Sequence, residues 1–584
     1  MQTRFNVFIC LLISVTTIVA DFNLTILHTN DVHARIEESD KLGGPCSPEL
    51  LASNDCYGGA SRIRTMVNLK RKQYANRVLL LDAGDQFQGT LWYYVFGGNV
   101  SAEFMNLIGY DAMAIGNHEF DGGIKGLAPF AHSINFPLLS SNINLINTPD
   151  LSSVVNKSTI ITVGNTPVGI VGYTTIETPD ISFPETAIFT DELGPIQAEV
   201  DILVAKGIKI IIALGHSGYA ADIELAKRLN NVDIIVGGHT NTFLYSGEDP
   251  SNEKAQGKYP TLVDGIQGRK VLVVQDYAFA KYLGELHVTF NDDGEAIAWS
   301  GNPILLDHSV AKDDATEQLV ARHLPAIEHM KKTVIGETYV DLIADRIQCR
   351  TTECNLGNLI ADSIVHQNLK RQSDPNSWSD VSIGLVNAGS FRASILKGNI
   401  TIEQVIYVQP FRNTIDLIEI SGKTLVDMLE FSASKWNTVL GETFGGFLQV
   451  SGLQITFDID RPIGERVVEV LVLCTKCLVP KLEFLDLNKA YKVLITSYIS
   501  KGGERYSMLP GAIISSHAIG DLDTDLLLKY VKAHSPITTG LQNRIRHLKD
   551  IQTLRVCGGG IQPLPSLATK FLIPLICFLI IYTV

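Results

Sequence analysis

This sequence predicts a two-domain α/β protein, on three observations. Apolar β-type runs alternate with helical stretches from Phe22 to about Phe290. A charged, helically patterned segment follows over Asp313 to Lys332, and a second set of strands and helices runs from about Thr333 to Leu548. With 584 residues the chain can build more than one core, and its 45% hydrophobic and 19% charged content is that of a globular protein rather than a disordered one. The net charge of −14, with no Lys/Arg-rich run, argues against a nucleic-acid polymer as partner, because binding a phosphate backbone needs clustered cations. A small anionic substrate stays compatible with that balance.

The first element is a leader. Arg4 and the apolar run Phe5 to Ala20, ending on a small residue, read as a secretory signal peptide over residues 1–20. The first domain is then expected over 21–312, with helices such as Ile196 to Ala205 and Ala221 to Leu229 between its strands. Its strands run into polar segments: Thr29-Asn-Asp-Val-His33, Gly84-Asp85-Gln-Phe-Gln-Gly89, Gly116-Asn117-His118-Glu-Phe-Asp121, Gly215-His216-Ser-Gly218 and Gly237-Gly-His239-Thr-Asn241. Asp, His and Asn on loops at the carboxyl edge of a sheet can converge on one point, and this mix of oxygen and imidazole donors suits a pair of divalent metals. A two-metal hydrolytic site is the immediate reading.

Next, over 313–332, Leu319, Val320, Leu324, Ile327 and Met330 recur at helical spacing among charges and predict a connecting helix. The second domain, over 333–550, has strands at Val381 to Val386 and Lys492 to Thr496 and a helix at Gly357 to Asn368. It contains no cluster of metal-type residues. At the far end, Cys557-Gly-Gly-Gly560, a Pro/Ser-containing spacer and an apolar tail of 14 residues make up a terminal region over 551–584. A span takes roughly 20 residues, so the tail is short for one, and the pattern matches a glycosylphosphatidylinositol (GPI) signal with attachment at Gly558 or Cys557. Cys46, Cys56, Cys349, Cys354, Cys474 and Cys477 allow 15 connectivities, of which spacing favours the three near-neighbour pairs in a secreted chain. Sequons at Asn23, Asn99, Asn156 and Asn399 fit an exterior location.

The order and wording of the five polar segments resemble the calcineurin-like metallophosphoesterases, and within them the 5′-nucleotidase family with its GPI-anchored ecto-enzymes and apyrase-type relatives. The resemblance runs from about Phe22 to about Arg546. It implies an N-terminal metallophosphoesterase α/β sandwich and a C-terminal α/β substrate-binding domain. One metal would be held by Asp31, His33 and Asn241, the other by Asn117, His216 and His239, with Asp85 bridging; zinc is the ion expected. His118 would act on the phosphoryl transition state or the leaving oxygen without binding metal, oriented by Asp121.

In the second half, Cys349-Arg350-Thr-Thr-Glu-Cys354-Asn355, Asn387-Ala-Gly-Ser-Phe-Arg392, Gln409-Pro-Phe411-Arg412 and Tyr498-Ile-Ser-Lys-Gly-Gly-Glu504 resemble nucleotide-contacting segments of that family. Arg350 and Arg392 would meet the anionic end, Phe411 and Tyr498 would sandwich a purine, Asn387 would bond near base or ribose, and Glu504 would accept from ribose hydroxyls. Three positions depart from the family pattern: Tyr498 for Phe, Glu504 for Asp, and Arg412 for a small residue. The resemblance implies hydrolysis of nucleoside 5′-monophosphates, AMP foremost, on the outer face of the plasma membrane, and leaves room for a homodimer. Apyrase action on ADP or ATP, UDP-sugar hydrolysis and a silent adhesion or receptor module are the alternatives, with Arg412 pointing toward the first.

Overall fold

The computed structural model describes residues 21–369, 377–436 and 444–549. The leader expected over 1–20, the expected anchor signal and Gly558 lie outside the described residues. Two sheets face each other in the first half. One places strands in the order Ala296–Gly301, Tyr282–Phe290, Phe22–Thr29, Val78–Asp82, Ala112–Ala114, Leu138–Leu139 and Val155–Asn156; the other runs Thr261–Asp264, Lys270–Val274, Ile234–Val236, Ile210–His216, Thr166–Thr174 and Ser158–Val163. Within each sheet the central strands are parallel. That arrangement buries both faces of a strand and explains the near-continuous apolar runs.

Alternation along a strand decides which core a residue joins. Leu24, Ile26, Leu79 and Leu81 enter the layer between the sheets, with Ile170, Ile212 and Ile234. Leu27, Leu80 and Met113 point the other way, into a layer with Ile63 and Val67 of the helix Ala60–Tyr74 and Phe104 of Gly98–Ile108. The result is an α/β sandwich whose parallel strands all present their carboxyl ends on one side.

Helix Asp314–Lys332 follows, capped where Asp313 accepts the Thr316 N–H at 2.9 Å. It buries Leu319 and Ile327 against the outer layer of the first half, and Lys331 pairs with Glu37. The second half has its own core around a five-stranded sheet, ordered Leu448–Ser451, Ile383–Asn387, Ala490–Thr496, Thr414–Ser421 and Ser515–Leu522, with a four-stranded sheet beside it. Helix Asn355–Asn368 packs on the larger sheet. Ala393, Ile406 and Tyr407 of this half join the outer core of the first, so the two halves share apolar packing.

Disulfides join Cys46 to Cys56, Cys349 to Cys354 and Cys474 to Cys477. Asn23, Asn99, Asn156 and Asn399 are all exposed. Among the described residues no helix is long and apolar enough to cross a membrane.

Candidate metal and nucleotide site

Polar loops at the carboxyl ends of five strands meet at one point. Asp31 and His33 follow Phe22–Thr29, Asp85 follows Val78–Asp82, Asn117 follows Ala112–Ala114, His216 closes Ile210–His216, and His239 and Asn241 follow Ile234–Val236. The loops are tied to one another: Asp31 N–H donates to the Gly84 carbonyl at 3.0 Å and His33 N–H to the Asp85 carbonyl at 2.9 Å. Asp31, His33, Asp85, His239 and Asn241 all have left-handed φ, from 51° to 76°. That conformation costs about 1 kcal/mol or more per residue and persists only where its surroundings enforce it. Gly116 is required for the close approach, since a Cβ there would lie 2.3 Å from Asp85 Oδ1 and 2.4 Å from Asp85 N.

Glu119 fixes these loops and had no role in the sequence reading. Its carboxylate accepts the N–H groups of Asp85 (3.0 Å), Gln86 (2.8 Å), Phe87 (3.1 Å) and Gly116 (2.7 Å), so one buried side chain joins the Asp85 loop to that of Asn117. Burial and the charge of Asp85 push it up to about 8.

Several side-chain nitrogen and oxygen atoms face inward around Asp85. His216 Nδ1–H donates to the Ala83 carbonyl at 2.7 Å, which turns Nε2 toward Asp85 Oδ2 at 2.9 Å, where it makes no geometrically sound hydrogen bond. Burial disfavours the charged imidazole, yet the fields of Asp85 and Asp31 outweigh it and raise His216 to about 10. The gap between the two atoms thus favours a positive charge, which a proton or a metal ion can supply. Asp31 Oδ2 accepts from Asn30 Nδ2 and His239 N–H, each at 2.8 Å, while Oδ1 has no partner. His33 Nδ1–H donates to the Phe87 carbonyl at 3.0 Å and leaves Nε2 3.9 Å from Asp31 Oδ1 and from Asp85 Oδ2. Burial holds His33 and His239 well below the ordinary imidazole range, so both stay neutral.

Donor atoms of His33, Asp85 and His118 form one group and those of Asp85, His216 and His239 a second, each within 4.8 Å and sharing Asp85. Asn117 Oδ1 adjoins the second group, 2.9 Å from His239 Nδ1. Buried carboxylate and imidazole atoms of this kind fit two divalent ions with Asp85 between them. His118, which the sequence reading gave to catalysis alone, reaches the same centre, with Nε2 3.9 Å from Asp85 Oδ2. Its Nδ1 is held by Asp121 Oδ2 at 2.7 Å. Burial would lower its proton affinity, but Asp121 and Asp85 more than offset that and raise it.

The centre opens into a cavity of about 220 Å³ that both halves line. Arg350, Asn387, Arg392, Phe411, Tyr498 and Glu504 all border it from the second half. Arg392 reaches furthest in, donating from Nη2 to His33 Nε2 at 2.7 Å. Phe411 stacks on the His118 ring, centroids 5.5 Å apart and planes inclined at 28°. Asn387 is buried, with Oδ1 unpartnered. Burial, Arg346 and Arg392 hold the Arg350 guanidinium well below its usual range, while burial raises Glu504.

Arg346 also lines the cavity and was missed. It stands three residues before Cys349, outside the family-like segment, so no motif flagged it. Arg412 corrects the sequence reading in the other direction. It is exposed, does not line the cavity, and sets its guanidinium 4.9 Å over the Tyr94 ring, because a left-handed φ of 60° turns the chain there.

Comparison with known proteins agrees with this geometry. A calcineurin-like phosphoesterase family model matches residues 24–243, and a 5′-nucleotidase C-terminal domain model matches residues 334–511. Snake venom 5′-nucleotidase from Naja atra is 44% identical over 532 residues, covering 90% of this chain and 98% of that protein. The chain belongs to the 5′-nucleotidase family. Human 5′-nucleotidase is 41% identical over 90% of this chain and 91% of its own length. The crystal structure of a 5′-nucleotidase precursor from Thermus thermophilus superposes with a TM-score of 0.83 at 36% identity, covering 90% of this chain and 99% of that one. Membership places the chain among the metallophosphoesterase hydrolases, whose fold holds two divalent metals. Fold alone does not fix a 5′-nucleotidase substrate: the sulfate thiohydrolase SoxB of Thermus thermophilus shares the fold at a TM-score of 0.70 and 19% identity.

Proposed function

We propose that this protein hydrolyses nucleoside 5′-monophosphates, AMP foremost, to nucleoside and phosphate outside the cell. The observation that carries the reading is the single cavity in which Asp31, Asp85, Asn117 and His239 from the first half face Arg350, Arg392, Phe411, Tyr498 and Glu504 from the second. Residues 21–312 act as the catalytic domain and 333–550 as the nucleotide-binding domain, with the helix over 313–332 between them.

Asp31, His33 and Asn241 would hold one ion and Asn117, His216 and His239 the other, with Asp85 between them; zinc suits this nitrogen and oxygen set. When bound, two such ions supply Lewis-acid polarisation of the phosphoryl group and a water that ionises near neutral pH. Arg392, beside His33, and Arg350 orient the phosphate by guanidinium hydrogen bonds. His118, with Nδ1 fixed by Asp121, presents Nε2 to the departing ribose oxygen and protonates it or stabilises its charge. Phe411 and Tyr498 offer two aromatic faces to the base, the open Oδ1 of Asn387 offers an acceptor to an N–H of the base or ribose, and Glu504 accepts from ribose hydroxyls.

Arg412 lies over Tyr94 and does not line the cavity, which supports AMP over ADP or ATP. A phosphate-release panel over AMP, ADP, ATP, UMP and UDP-glucose tests the reading. AMP should have the highest kcat/KM; a higher value for ADP or UDP-glucose, or no release from AMP, would sink it. We further infer secretion and attachment through a GPI lipid at Gly558, supported by the terminal sequence patterns and by relatives that are venom proteins. Treatment of cells with phosphatidylinositol-specific phospholipase C should release the protein, and retention of Phe571 to Val584 in the surface form would contradict it.

A further inference from the structure

Tyr498 contributes its ring to the cavity, but its hydroxyl is engaged elsewhere. The Oη–H donates to the backbone carbonyl of Asp180 in the opposite half at 3.0 Å, and the same oxygen accepts the Glu504 N–H at 3.2 Å. Asp180 sits in the one-turn helix Thr178–Ile181, at the carboxyl end of strand Thr166–Thr174. Arg505, next to Glu504, grips the same helix: it lies 2.5 Å from Glu177 Oε1 and 3.4 Å from Asp180 Oδ2.

The residue that ends this helix continues inward. Ser182 N–H donates to the Thr178 carbonyl at 2.9 Å, and Ser182 Oγ–H donates to Asp121 Oδ1 at 2.7 Å. The other oxygen of Asp121 holds His118 Nδ1 at 2.7 Å. A continuous path therefore links the aromatic ring at the base end of the cavity to the imidazole at the phosphate end. It runs Tyr498 hydroxyl, Asp180 carbonyl, the turn to Ser182, Asp121, His118. Ser182 is buried, and its loss would leave a partly buried Asp121 oxygen without this protein partner.

We propose that Ser182 is a positioning residue for the His118–Asp121 pair, and that the Tyr498 hydroxyl sets it by anchoring the Thr178–Ile181 helix across the domain seam. The inference rests on the function proposed above. It assigns the Tyr498 hydroxyl a task separate from ring stacking, and it makes docking of the nucleotide-binding half a condition for correct orientation of the imidazole.

A double-mutant cycle on AMP turnover, paired with amide hydrogen exchange, tests it. Ser182→Ala should lower kcat roughly three- to tenfold, the worth of one hydrogen bond, with KM unchanged, and Ser182→Thr should restore it. Tyr498→Phe keeps the ring and should also lower kcat. If both act through one path, the double variant is no slower than the slower single variant. A double variant slower by the product of the two effects, or a Ser182→Ala variant changed only in KM, overturns the proposal. The exchange measurement needs no turnover: Tyr498→Phe should speed exchange over 118–121 as well as 178–182, and wild-type exchange over 118–121 would overturn the coupling. Failure of the wild-type protein to release phosphate from AMP would count against the proposed function and leave the exchange result to decide the path.

Discussion

His118 and Asp85 share one small space, but they are held for different tasks. Asp85 stays ionised because His216 and His118 outweigh the cost of its burial and pull it well below the usual carboxylate range. His118 is held by Asp121 and stacked on Phe411, contacts that suit the proton-transfer role proposed for it. His118→Ala should therefore retain bound metal, measured by elemental analysis, while losing ~10²–10⁴-fold in kcat. Loss of metal in that variant would make it a ligand instead, as its place beside His33 and Asp85 allows. Arg412→Gly should leave the ADP-to-AMP ratio of kcat/KM unchanged, because the guanidinium lies over Tyr94. A fall in that ratio would return Arg412 to the substrate.

Strand ends were legible in the sequence for a physical reason. An apolar run that stops at a polar residue beside glycine marks where a parallel strand leaves the sheet, and Asp85, Asn117, His216 and His239 all sit there. Helix edges were less so: the helix expected to start at Gly357 begins at Asn355, with Cys354 in extended conformation at its N-cap. Contacts between distant loops left no pattern at all. Glu119 stood inside a quoted segment, but its four backbone partners appear only once the loops fold together. Ser182 has no motif, and the path of Arg412 depends on a backbone angle that its neighbours do not announce.

The strand pair Phe22–Thr29 and Tyr282–Phe290 carries a prediction of its own. His28 faces Gly284 across the ladder and is fully buried, with Nε2 2.8 Å from the Tyr259 hydroxyl. Burial lowers its pKa to about 3, against 6.5 for an ordinary histidine. The unfolded chain thus binds a proton below pH 6.5 that the folded chain refuses until about 3. Its contribution is complete above that window and is lost as pH falls through it, by about 5 kcal/mol at the acid end. His28→Gln should flatten this part of the pH dependence of the unfolding free energy relative to wild type. Parallel curves for the two proteins would show that His28 does not stay neutral.

At the scale of the whole molecule, the ligand loops come from five strands in two sheets, so an ion that binds them binds only the folded chain. Chelation with EDTA should abolish phosphate release and lower Tm, since a ligand at a thousand times its Kd adds about 4 kcal/mol to the folded state. Asp85→Ala should be inactive and should lose most of the EDTA-dependent shift, because it takes the shared ligand from both donor groups. An Asp85→Ala protein that kept wild-type turnover would refute the bridge. The metal-type loops end at Asn241 and the first residue of the second half that lines the cavity is Arg346, so the two sets of lining residues are separated along the chain although they meet in one cavity.

That separation shapes how such a protein can diversify. A change at Arg346, Asn387 or Phe411 would, on the function proposed above, alter which molecule is held and spare the loops that Glu119 ties together. Under the function proposed above, new substrate preferences can thus arise from substitutions in one half of the chain while the metal-type loops of the other stay as they are. The seam at Asp180 is the exception: there Tyr498 and Arg505 meet a helix that leads to Asp121, and the two halves must change in step.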